Sequence, residues 1–122
     1  MKKAERLELE ARTTYSVCKA APNVGHTHEI RRKEDGKMKA LYYVTLTYSH
    51  GGAPKVIWCD CAGFKRQKYA HMEHKHIKLA VDYNERVPDD YGEAITGVYQ
   101  IHGTGANAEI EFSHMHTQGV IA

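Results

Sequence analysis

Val56-Ile57-Trp58-Cys59-Asp60-Cys61-Ala62-Gly63-Phe64, followed by His74-Lys75-His76-Ile77-Lys78-Leu79-Ala80-Val81, is the stretch on which the fold turns. Val56, Ile57 and Trp58 are β-branched or aromatic and read as a strand running into Cys59. In the second half Ile77, Ala80 and Val81, extended by Met72 or Tyr83, recur at spacings of three and four. That is a core-facing helical stripe. Between the two lie four residues that ligate metals. If Cys59 is in extended backbone, Cys59 and Cys61 leave the same face and their sulfurs converge. His74 and His76 would point about 200° apart within one continuous helix. Both reach a single ion only if the helix begins near His74, so the sequence predicts a strand-to-helix corner with the ligands at the helix start.

Two thiolates and two imidazoles close a tetrahedral shell, the form taken by structural rather than catalytic zinc. The expected cofactor is therefore one structural zinc ion on Cys59, Cys61, His74 and His76. A set containing His71 competes, because His71 and His74 share a helical face if the helix starts earlier, which leaves His76 to solvent. A metal-free alternative treats the cysteines as packed thiols and the histidines as surface residues. These alternatives stay open on the sequence alone.

The same residues resemble a SWIM-type zinc finger, whose pattern is Cys-x-Cys, a variable spacer, then Cys-x-His before apolar helical residues. The likeness spans about residues 40–85, with Phe64 where that family often packs an aromatic ring below the site. His74 stands where the family has cysteine. The resemblance implies a zinc-anchored helix behind Tyr- and Val-rich strands, and a role in binding DNA or protein.

Outward from the corner, residues 2–12 are rich in helix formers and lack Gly and Pro, which predicts a short helix. Residues 13–18 and 26–32 read as strands. Asp35-Gly36 supplies the positive φ values of a tight hairpin turn, and residues 38–49 form the most strand-like run of all. With residues 56–59 these make an antiparallel meander. Val87-Pro88-Asp89-Asp90 stops the helix. Residues 94–102 and 108–112 alternate with period two and predict a C-terminal hairpin. The expected class is α+β: one domain over 1–122, comprising a helix at 1–12, a meander and finger at 13–87 (finger core 56–81), and an acidic hairpin segment at 88–122.

The chain carries 17 basic and 15 acidic residues, unevenly placed. Residues 1–81 hold 16 Lys and Arg against 8 acids, whereas residues 82–122 hold Arg86 against 7 acids. A basic half suits a polyanion, since phosphate contacts dominate nucleic-acid affinity. Lys65, Arg66, Lys68, Lys75 and Lys78 crowd the finger with Tyr69 among them, a candidate phosphate-contacting surface with a ring able to stack on a base. The expected partner is nucleic acid, DNA before RNA, with protein contact or self-association through an exposed hairpin edge as the alternative. The first residues have no apolar stretch behind their lysines, so no signal peptide and no membrane span are expected, and the location is expected to be intracellular. Cys59 and Cys61, one residue apart, point to metal rather than a disulfide. Cys18 is expected to be a buried thiol. His26-x-His28 and His114-x-His116 each put two imidazoles on one strand face. No phosphate loop, nucleophile elbow or acidic dyad appears, and no catalytic residue is expected.

Overall fold

Strong helix formers build α1 (Lys3–Arg12), which passes without a linker into strand β1 (Thr13–Lys19). Thr13 ends the helix by turning extended, and its hydroxyl donates to the Leu9 carbonyl at 2.6 Å. The structure is a computed structural model and describes residues 2–19, 27–48, 54–62, 64, 74–87, 95–104 and 107–117. Strands β2 (Thr27–Glu34) and β3 (Lys37–Tyr48) flank the turn at Asp35 and Gly36. The φ values there are 52° and 81°, both positive as a two-residue hairpin requires. Strand β4 (Pro54–Cys59), helix α2 (Lys75–Arg86) and strands β5 (Ile95–His102) and β6 (Glu109–Thr117) complete the order.

The six strands form one sheet in the order β4-β3-β2-β1-β5-β6, every neighbouring pair antiparallel. The class is α+β, as the sequence predicts, with the meander, the helix and the terminal hairpin in that sequence. What the sequence does not reveal is where the hairpin goes. β5 joins the free side of β1, with Tyr15 opposite Tyr99 and Val17 opposite Gly97. Helix α2 therefore carries the chain from one end of the sheet towards the other.

Period-two alternation divides the sheet into two faces. Val17, Ile30, Val44, Leu46 and Tyr99 point to one face, where Ile77, Leu79, Ala80 and Tyr83 of α2 cover them; all are fully buried. Each large apolar side chain removed from water stabilises by about 1.5–3 kcal/mol. The helical stripe is centred on His76, Leu79, Ala80 and Tyr83, which leaves Val81 half-buried on its shoulder. Gly97 lets the helix come close: a Cβ there would lie 3.1 Å from Tyr99 Cε1 and 3.3 Å from Tyr83 Cδ2. Leu41, Tyr43 and Trp58 alternate onto the opposite face and are exposed. Cys18 is on that face too, half-buried rather than in the core.

Candidate metal centre and its basic surroundings

Cys59 ends β4 beside Val44 on the covered face. After Cys59 the Asp60 amide donates to the Tyr43 carbonyl at 3.2 Å, while the Tyr43 amide donates to the Asp60 carboxylate at 3.0 Å. This double clasp fixes the chain as it leaves the strand and turns Cys61 inward. From the other side, His74 is the extended N-cap of α2 (φ −68°, ψ 133°) and His76 lies in the first turn. The helix thus starts where the two histidines need it to start.

The four side chains meet. Their donor atoms all lie within 4.8 Å of one another, and all four residues are buried. Cys59 Sγ is 3.5 Å from His76 Nδ1, Cys61 Sγ is 3.1 Å from His74 Nε2, and the two ring nitrogens are 3.3 Å apart. Metal–sulfur bonds of about 2.3 Å and metal–nitrogen bonds of about 2.0 Å at tetrahedral angles place two nitrogens about 3.3 Å apart, and nitrogen from sulfur about 3.5 Å. The cluster matches that shell, with one sulfur–nitrogen edge slightly short. It is positioned to hold one metal ion.

The surroundings favour ligation. The Phe64 amide donates to Cys61 Sγ at 3.3 Å, a hydrogen bond that supports a thiolate. The Phe64 ring meets His74 edge-on at 5.6 Å, and Tyr42 stacks on His76 at 4.2 Å. Burial, reinforced by neighbouring His74, drives His76 down to about 3, so its imidazole is neutral and its lone pair available. Burial also pushes the Cys59 thiol up. A cation would reverse that preference and hold the thiolate. His76 Nε2 is buried with no hydrogen-bond partner among the described residues.

No family model, curated protein or solved structure matches this chain. What the site can do therefore rests on its own geometry.

The basic residues divide three ways. Lys65, Arg66, Lys68 and Tyr69 lie outside the described residues, as do His71 and His26. Lys78 extends its Nζ to the Ala108 carbonyl at 2.8 Å, tying α2 to the start of β6. Lys75, between the two histidines, instead lines a cavity of about 180 Å³ together with Arg6, Arg32, Glu10 and Tyr15. Arg6 Nε lies 3.7 Å from Glu10 and Arg32 Nη1 lies 3.9 Å from Glu34, and both Nε atoms are buried without a hydrogen-bond partner among the described residues. Three cations against one acid make this a basic cradle beside the metal cluster. Alternation from Ile30 would have placed Arg32 on the covered face; nothing in the sequence links Arg6 to it.

The other histidines separate as well. His28 is buried and shares a 2.8 Å hydrogen bond with the amide oxygen of Asn84, pinning β2 to α2. His114 and His116 are exposed on β6, ring centroids 6.0 Å apart. No helix among the described residues is long and apolar enough to cross a membrane.

Proposed function

We propose that the chain is a small non-catalytic zinc-finger-like module of SWIM type that binds nucleic acid, DNA in preference to RNA. Zinc on Cys59, Cys61, His74 and His76 would lock the strand-to-helix corner; mixed thiolate and imidazole donors in a tetrahedron suit it best. The observation that carries the reading is the match of the donor–donor distances to that shell. The nucleic-acid surface comprises Lys65, Arg66, Lys68, Tyr69, Lys75 and Lys78, and the cradle adds Arg6 and Arg32 to its phosphate-contacting part. A wall of two guanidinium groups and one ammonium suits a phosphate oxygen.

Two measurements test the two halves separately. One equivalent of zinc should co-purify and His74→Ala should lose it; zinc kept by that variant but lost by His71→Ala would change the ligand set. Binding of labelled duplex DNA should weaken steeply with salt, and Arg32→Gln and Lys75→Gln should each reduce the logarithmic salt slope by about one. Absence of binding at low salt would remove the nucleic-acid reading and leave the metal reading standing. A second reading, a protein-assembly module stiffened by zinc, draws on the position of β6 at the end of the sheet.

A further inference from the structure

The two ends of the sheet are unlike. β4 is a six-residue strand that opens on a proline, a residue that weakens strand addition at an edge. β6 has nine residues, Glu109 to Thr117, with no proline and no lysine. On one side it pairs with β5; among the described residues its other side faces no strand.

The pairing with β5 shows which way each β6 side chain points. Ile110, Phe112 and Met115 stand opposite Ile101, Tyr99 and Gly97, so they belong to the covered face, where all three pack half-buried against the core. Glu109, Glu111, His114 and His116 stand opposite His102, Gln100, Val98 and Thr96, so they belong to the open face, and all four are exposed. Ser113 is the extra residue of a bulge, because the register jumps between Val98 opposite His114 and Tyr99 opposite Phe112.

That bulge has a consequence for self-pairing. Facing residues of an antiparallel pair point to the same side of the sheet, and their amides turn both inward or both outward. A regular strand pairing with its own copy about a two-fold axis can therefore match only residues of like parity. Ser113 inverts the alternation halfway along β6, so across it residues of unlike parity become face-matched.

We propose that β6 is a self-complementary interface that pairs antiparallel with β6 of a second copy, joining two six-stranded sheets into one. In the register we assign, Glu109 faces the partner's His116, Glu111 faces the partner's His114, Ile110 faces the partner's Met115, and Phe112 faces the partner's Ser113. Both acids of each strand then meet imidazoles on the open face. The apolar side chains meet on the covered face, extending the core across the axis. Slipping by two residues pairs only one of the two acids with an imidazole, and sets Glu111 opposite the partner's Phe112 or Ser113 opposite the partner's His114, which mismatches the faces at the axis. The charges that deter strand addition by an unrelated chain become attractive in this one arrangement. The proposal stands apart from nucleic-acid binding and commits to a second copy of this chain.

The test is the mass of the full-length zinc-loaded chain by sedimentation equilibrium across a concentration series. The expected result is a reversible approach to twice the monomer mass. Glu111→Lys, which acts twice across the axis, should raise the dissociation constant about tenfold or more. Adding His114→Glu to that variant should restore the dimer, because lysine and glutamate then face each other with opposite charge. Hydrogen exchange provides an independent readout: β6 amides should gain protection with concentration while β4 amides do not. A chain that stays monomeric at the highest soluble concentration would assign the edge to some other occupant and overturn the proposal. A dimer indifferent to Glu111→Lys, or one whose protection maps to β4, would overturn it equally.

Discussion

The two ends of helix α2 are held by different chemistry. At its start, His74 and His76 converge with Cys59 and Cys61 into a buried cluster of metal-ligating groups, with the Tyr42 ring stacked on His76 and the Phe64 ring edge-on to His74. At its finish, the Tyr83 hydroxyl donates to the Ile95 carbonyl at 2.7 Å and the Tyr99 hydroxyl donates to Asp82 at 2.8 Å. Asp82 also pairs with Arg86, whose guanidinium lies 4.0 Å over the Phe112 ring. The far end is complete with protein groups alone. The near end concentrates four metal-ligating atoms within 4.8 Å of one another, so its order should depend on an ion while the other's should not.

Four experiments break or sharpen this contrast. Chelation, or Cys59→Ser, should have the largest effect, since zinc binding is worth on the order of 10–16 kcal/mol in small zinc modules. Hydrogen exchange should show residues 75–80 losing protection before residues 82–86; simultaneous loss would mean that the two ends behave as one unit. Next comes Gly97→Ala, whose added Cβ would press Tyr83 and Tyr99 apart. It should cost about 1–2 kcal/mol in denaturant unfolding, with the zinc content unchanged.

Tyr99→Phe should cost about 1.5 kcal/mol, the low end for a hydrogen bond to a charged group because the pair is only partly buried. It also carries a pH signature. Burial and the bond to Asp82 raise Tyr99 above its ordinary value, and burial pushes Tyr83 up to about 12. The unfolded phenols ionise near pH 10 while the folded ones stay protonated. Stability is therefore fully present below pH 10 and falls as pH rises above it. The fall should be shallower in Tyr99→Phe, as read from unfolding midpoints between pH 9 and 11. Smallest is Lys78→Met, which removes the bond to Ala108; about 0.5–1 kcal/mol is expected from thermal unfolding.

Local features of this chain are legible in its sequence because local physics decides them. Asp35-Gly36 can only be a hairpin turn of positive φ, and the two histidines two apart force the helix to begin beside them; the structure has both. The corner's donor set was legible for the same reason. β6 was not: its alternation breaks at Ser113, so the sequence pattern ends the strand at Phe112, whereas it continues through a bulge to Thr117. The docking of β5 on β1 was hidden as well, because strand pairing between distant segments leaves no periodic trace. Lys78 looked like one more cation on a basic face, and only the position of Ala108 shows it tied to β6.

The placement of β5 also sets an order of events. Tyr15 and Tyr99 face each other in the middle of the sheet, yet they come from opposite ends of the chain. A ribosome releases the meander, the ligand cluster and α2 before any of β5 has emerged. Through that interval β1 is itself an edge, and Tyr83 has no Gly97 to rest against. The last hairpin to be made adds β5 and β6 onto that edge, a long-range step that should set the pace of folding.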